Sequence, residues 1–260
     1  MFEQEIKHYE QVRREYEERI VKKMAPTDYV DWHEVLFSAH SCAIEGNSFT
    51  VDDTRILKEQ GLAMVPVGHS LLECAEMADH FRAFRYVITH LDAAFDETLL
   101  CETNRLVTEN TLAYRAPGAV PGAYTTEDMA AGDTLFGDHE TLVARVPALT
   151  ASTAEAIGRG VHPVIVAARF HGFFEYLHPF RDGNGRTGRL LSNWILLQAG
   201  HPLLIINIKD REAYFNALRK IRSEGTDEFL ISFFFRAATE RMENELAQKR
   251  SNTHLGLFLF

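Results

Sequence analysis

The sequence predicts an all-α body with a single flap-like excursion. Three observations carry that expectation. Apolar residues recur at helical spacing along most of the chain, glycine and proline concentrate between Arg115 and Asp138, and no series of parallel-strand patterns appears. At 260 residues, 46% of them hydrophobic, the chain suits one large domain, or one domain with a modest appendage.

The elements follow in order. Residues 2–24 are rich in Glu, Lys and Arg, with a stripe at Ile6, Tyr9, Val12, Tyr16, Ile20 and Val21. That stripe predicts a helix packed on the surface of the body. Ala25-Pro-Thr-Asp28 breaks it, and Asp28 or Thr27 is expected to cap the next helix, which runs to about Glu45. Gly46-Asn47 then ends that helix, because both residues tolerate the left-handed C-cap conformation. Further helices are expected near 51–60, 71–92, 98–113, 140–158, 161–177, 185–199, 210–223 and 226–248. The excursion holds Pro117, Gly118, Pro121, Gly122, Gly132 and Gly137, and predicts a hairpin of Ala123–Thr126 against Thr134–Phe136. No internal repeat or clear linker is visible.

Composition excludes several classes. A formal charge of −10 argues against nucleic acid as the main partner, since phosphate binding needs a basic surface. A local basic pocket can still bind a small anion. The longest apolar runs, Phe229–Phe235 and Pro202–Ile208, fall well short of the ~20 residues a membrane helix needs. The N-terminus lacks a basic region followed by an apolar one. Cys42, Cys74 and Cys101 show no CxxC pairing and read as ordinary thiols. The expectation is a cytoplasmic protein with neither nucleic acid nor membrane as partner, and the sequence leaves a homo-oligomer open.

Most of the chemistry sits in His178-Pro-Phe-Arg-Asp-Gly-Asn-Gly-Arg-Thr-Gly-Arg189. Phe170, Phe173, Phe174 and Leu177 keep helical spacing, so His178 falls at a helix C-terminus that Pro179 stops. Leu190, Leu191, Trp194 and Leu197 continue a second helix that begins near Arg186. Gly183 and Gly185 let the intervening backbone turn its N–H groups to one point, where the helix adds free amides and the positive end of its dipole. A phosphate suits that point. Arg186 and Arg189, three apart, share a face and can each clamp a phosphate oxygen. Asp182 offers a hard oxygen to Mg2+, and His178 can take a proton from an attacking hydroxyl. Singly, each residue also has a plain structural reading; together they match the needs of phosphoryl or nucleotidyl transfer. Gly183-Asn-Gly185-Arg-Thr-Gly188 also fits the dinucleotide fingerprint, but no buried strand precedes it, so a Rossmann unit is rejected.

The motif resembles the Fic signature, H-x-F-x-[DE]-G-N-G-R-x-x-R, with every specified position filled. The resemblance implies an all-α Fic fold with a small β-hairpin flap, and transfer of AMP from ATP to a protein hydroxyl. By position, His178 is then the base and Asp182 the Mg2+ ligand. Gly183, Asn184 and Gly185 form the anion hole, Arg186 contacts the β-phosphate region, and Arg189 contacts the γ-phosphate. The intact Gly-Asn-Gly-Arg favours AMP transfer over phosphoryl transfer. Tyr214 resembles an element that lies near the adenine in that family, although an aromatic at helical spacing is more often core. Residues 121–136 resemble the family's flap, on which a target protein docks as an added strand.

Ser41 and Glu45 lie four apart, on one face near a helix C-terminus. A carboxylate there opposes the helix dipole and gains from an arginine partner, though a plain surface or capping glutamate has the same spacing. Ser-x-x-x-Glu-Gly resembles the family's inhibitory pattern, which implies that Glu45 pairs with Arg189 and denies it to the γ-phosphate. The resemblance covers residues 30–225, with an inhibitory helix at 30–46 and helical extensions at 1–29 and 226–260. Three alternatives stay open: Glu45-dependent removal of AMP, use of UTP or GTP, and a nucleotide-sensing binding module without turnover. His162, His171 and His201 show no metal spacing and are read as packing or surface residues.

Overall fold

The computed structural model describes residues 2–61, 67–131 and 134–255. It is predominantly helical. Helix α1 (Glu3–Arg19) buries Tyr9, Val12 and Tyr16, and the Tyr16 hydroxyl donates to Glu245 of the last helix, α11 (Glu228–Leu255), at 2.6 Å. The two expected extensions therefore pack on one another.

Helix α2 (Pro26–Ile44) begins at neither expected cap. Ala25 occupies the cap position and Pro26 the first turn. Proline has no N–H to leave unsatisfied and its φ is already helical, so it takes that place, and Asp28 falls inside the first turn against the positive end of the dipole. The other end forms as expected: Gly46 has φ +102° and the Asn47 N–H returns to Cys42 O.

Helices α3 (Val51–Gln60) and α4 (Leu71–Thr89) each start with a reciprocal cap, Thr50 with Asp53 and Ser70 with Glu73. Helix α5 (Glu97–Thr108) is capped by Asp96, and a single turn, α6 (Leu112–Arg115), follows where one longer helix was expected. Beyond the flap run α7 (Leu142–Gly158), α8 (Pro163–Leu177), α9 (Asn184–Gln198) and α10 (Arg211–Glu224). His162 caps α8 and also reaches Glu10, while the ring of His201 stacks on Tyr9; both pack as expected.

The α8–α9 hairpin is the centre of the molecule, and every residue from Thr187 to Leu196 is buried. Gly188 makes that closeness feasible. A Cβ there would stand 2.6 Å from His171 Nδ1, 2.8 Å from its Cε1 and 3.0 Å from Phe174 Cδ1. Both neighbours are stiff rings in a close-packed interior, so Gly188→Ala should cost about 1–3 kcal/mol. A fall in melting temperature of roughly 2–10 °C is expected. An unchanged melting curve would refute this packing.

The glycine- and proline-rich excursion pairs in a register other than the predicted one. Ala130 and Ala131 pair antiparallel with Leu135 and Thr134, giving β1 (Ala130–Ala131) and β2 (Thr134–Leu135), and the Phe136 N–H returns to Met129 O. The segment expected to pair there, Ala123–Thr126, lies against the α8–α9 loop instead. Tyr124 bridges to Phe180, and the Thr125 N–H donates to Pro179 O. Burial decides it: Tyr124 packs its ring near Phe180 and donates its hydroxyl to Glu97 at 2.7 Å. The turn residues 132–133 lie outside the described residues.

Candidate active site

Helix α8 ends at Leu177, and His178 caps it in the left-handed conformation, φ 50°. A side chain tolerates that conformation poorly, and such strain concentrates at functional positions. The loop then turns through Gly183, φ +78°, into the N-terminus of α9. Asn184 clamps this turn by accepting from the Phe180 N–H at 3.0 Å and donating to Phe180 O at 2.7 Å. Asn104 supports it from α5, donating to Asp182 O at 3.0 Å.

A cavity of about 350 Å³ opens over this loop, with His178, Gly185, Arg189, Glu45 and Tyr214 on its walls. Five of the sequence-predicted residues thus line one cavity, whereas Ser41, Asp182, Gly183, Asn184 and Arg186 stand behind its walls. Arg186 does not face this cavity. Its guanidinium is 1% exposed and pairs with Glu76 at 2.5 Å and Asp182 at 3.1 Å. Asp182 also lies 3.5 Å from Arg115. Spacing placed both arginines on one face, but the buried carboxylate of Glu76 on α4 draws only the first of them inward.

Arg189 is fully engaged. It donates to Ser41 Oγ at 3.1 Å, to Ser41 O at 2.8 Å, to Glu45 Oε1 at 2.8 Å and to the Tyr214 hydroxyl at 3.4 Å. Burial opposes its charge, but Glu45 and Tyr214 outweigh burial and hold its pKa above the ordinary value. Arg211 fixes the end of α2 by donating to Ile44 O at 2.8 Å, so Glu45 is presented from a tethered helix terminus. The Glu45–Arg189 pair lies against Gly185, where any Cβ would overlap the Glu45 carboxylate.

Tyr214 is buried, and its hydroxyl bonds His171 Nε2 at 2.5 Å as well as Arg189. Its ring edges the cavity, but its polar end serves the arginine. His171 is core, as expected, with a pKa pushed down to about 4 by burial. Burial works against ionisation of Asp182, but Arg186 and Arg115 outweigh it and hold the carboxyl below the usual range. Asp182 is therefore anionic at neutral pH, the state a hard cation requires.

Sequence reasoning missed three participants. Phe136 stacks on the His178 ring at 3.8 Å, and Arg222 donates to Leu135 O, Glu175 O and Tyr176 O, tying flap to helix. Glu175 places a carboxylate oxygen 3.5 Å from His178 Nδ1. Only Glu175 left a local signal, its spacing of three from His178 at a helix end.

Among the described residues, no helix is long and apolar enough to cross a membrane. Residues 94–196 match the Fic/DOC family model. The protein adenylyltransferase Fic of Nematostella vectensis is 33% identical over 208 residues, covering 80% of this chain and 48% of the relative. A Drosophila melanogaster protein of the same name is 33% identical over 191 residues, 72% of this chain and 37% of the relative. The chain thus spans half or less of the length of these curated relatives. Among solved structures, a Caenorhabditis elegans Fic-1 fragment bearing a glutamate-to-glycine substitution superposes with a TM-score of 0.80 at 21% identity, covering 96% of this chain and 73% of that one. At that identity the likeness speaks for the fold alone, and the described architecture is the Fic fold. Signature, fold and relatives agree that residues 94–196 form a Fic/DOC domain.

Proposed function

We propose that this chain is a protein adenylyltransferase, transferring AMP from ATP to a hydroxyl of a target protein, and that Glu45 holds it off. One observation carries the reading: the arginine that the signature assigns to the γ-phosphate is occupied by Glu45 at 2.8 Å, in the cavity that also holds His178. The name of the curated relatives supports the activity.

In the proposed step the target hydroxyl gives its proton to His178, and its oxygen bonds to the α-phosphorus. The bond from that phosphorus to the bridging oxygen breaks, and pyrophosphate leaves. The α9 N-terminus, which begins at Asn184, would offer its amides and positive dipole end to the charge that grows on the α-phosphate. Asp182 would hold Mg2+, which offsets phosphate charge when bound. Arg186, tied to Asp182, supports that carboxylate from behind. Residues 121–136 would seat the target, since Leu135 is exposed and Phe136 lies on the base. Residues 30–225 would form the working core, with Ser41 and Glu45 on its inhibitory helix.

Glu45 opposes this by supplying Arg189 with a carboxylate where a γ-phosphate would bind. In a partly buried site the two anions compete for one guanidinium. Intact mass after incubation with Mg·ATP tests the reading. An AMP adduct is expected on Glu45→Gly, and none on wild type or on Glu45→Gly/His178→Ala. An adduct that survives loss of His178 would remove the base; release of AMP from a modified protein that requires Glu45 would reverse the direction of the reaction.

A further inference from the structure

His178 has two ring nitrogens, and only one can serve as base. Nδ1 is buried and has no hydrogen-bond partner. The ring side chain is still 19% exposed and lines the cavity, so Nε2 is the nitrogen left toward it. Phe136 covers one ring face. Among the described residues, the anion beside Nδ1 is Glu175 Oε2, at 3.5 Å.

Glu175 is itself anomalous. It lies one helical turn before His178, and its Oε1 is buried with no partner. A carboxylate so placed is costly unless a cation uses it. His178, on its own helix, is that cation once it has accepted a proton. The surrounding charged and titratable groups are His171 on α8, Arg189 on α9 and, on α10, Tyr214 and Arg222. Burial disfavours the Glu175 anion, but His178, His171 and Arg189 outweigh it and hold the pKa below the ordinary value. Arg222 fixes the backbone there by donating to Glu175 O at 3.0 Å and Tyr176 O at 2.7 Å. The carboxylate is therefore charged, and the backbone that carries it is tied down.

We infer that Glu175 is a positioning residue for His178: it receives the Nδ1–H, fixes the tautomer that leaves Nε2 bare, and stabilises the imidazolium formed when Nε2 accepts the target's proton. The inference rests on the proposed AMP transfer for its kinetic consequence. Glu175 acts through His178, and the proton stays on His178 until product release. A modest tightening from 3.5 Å, of the kind that accompanies substrate binding, completes the hydrogen bond.

Two measurements test this, and they fail separately. In the Glu45→Gly chain, Glu175→Leu should lower kcat by about 10- to 100-fold while KM for ATP stays within about twofold. Glu175→Gln, which keeps the shape and loses the charge, should move the acid limb of the kcat/KM profile to lower pH. Removing the anion makes imidazolium harder to form, so the free base persists further into acid. A role in packing alone would lower the plateau and leave the limb in place, and that result overturns the inference. The second measurement needs no activity. Nitrogen-15 shifts of the His178 ring, assigned by the signal lost in His178→Gln, should report an Nδ1–H tautomer in the wild type and a mixture with Nε2–H in Glu175→Leu. If the two spectra show the same tautomer, Glu175 does not position the ring. If Glu45→Gly fails to transfer AMP while the tautomer still depends on Glu175, the reaction was misassigned and the positioning stands.

Discussion

Arg189→Ala in the Glu45→Gly chain is expected to lower kcat/KM for AMP transfer by about 100- to 1,000-fold, the usual cost of removing one pre-aimed donor to developing charge. The same substitution in the wild-type chain should leave it inactive. That asymmetry is the informative part. Breaking the Glu45–Arg189 pair from either side frees the other residue, but only loss of Glu45 leaves a phosphate anchor behind. Arg189→Lys should recover little, because an ammonium cannot reproduce the fork that now reaches Ser41 Oγ, Ser41 O and Glu45 together. Glu45 is 30% exposed, so once unpaired it can turn to water, and folding should suffer only modestly. Rates measured beside melting curves would separate the two effects. AMP transfer by Arg189→Ala alone, at the rate of Glu45→Gly, would show that the arginine acts only as a latch.

The helices and the site loop were legible because their signals are local. Pro179 after a helical run of phenylalanines, Gly183 before a second run, and Gly46 after Ile44 each act within one turn of the chain. The meeting of Glu45 with Arg189 was not local; no property of either segment alone demands it, and it was reached through a resemblance. What stayed hidden was decided by distant partners. The direction of Arg186 depends on Glu76 in α4, and the register of the flap depends on Tyr124 finding Glu97 and Phe180. Spacing fixes which face a side chain leaves from, whereas the partner that waits there fixes where it ends. Tyr214 shows the same limit: core and site were offered as alternatives, and its ring edges the cavity while its hydroxyl bonds Arg189 and His171.

Removing Glu76 should be costly to folding. Its side chain is 1% exposed and gathers Arg186 at 2.5 Å, Arg115 at 2.9 Å and the Asn47 amide at 2.8 Å. Glu76→Ala strips the nearest anion from a guanidinium that is also 1% exposed, leaves it the longer pair with Asp182 at 3.1 Å, and deprives Asn47 of an acceptor. Removing one partner of a buried ion pair costs about 3–5 kcal/mol, far more than the pair would be worth against an apolar replacement of both partners. Arg186 cannot shed its proton to escape, since an arginine stays charged in proteins and here its pKa is raised further: burial opposes the charge, but Glu76 and Asp182 outweigh it. A drop in melting temperature of roughly 6–20 °C is expected. Arg115→Ala, which removes a 30% exposed partner and leaves Arg186 paired, should cost much less. Urea unfolding of both variants checks the order. A loss below about 1 kcal/mol for Glu76→Ala would mean that water or a rearranged Asp182 reaches Arg186, and the α8–α9 turn would then be held by Asn104 and Asn184 rather than by this charge cluster.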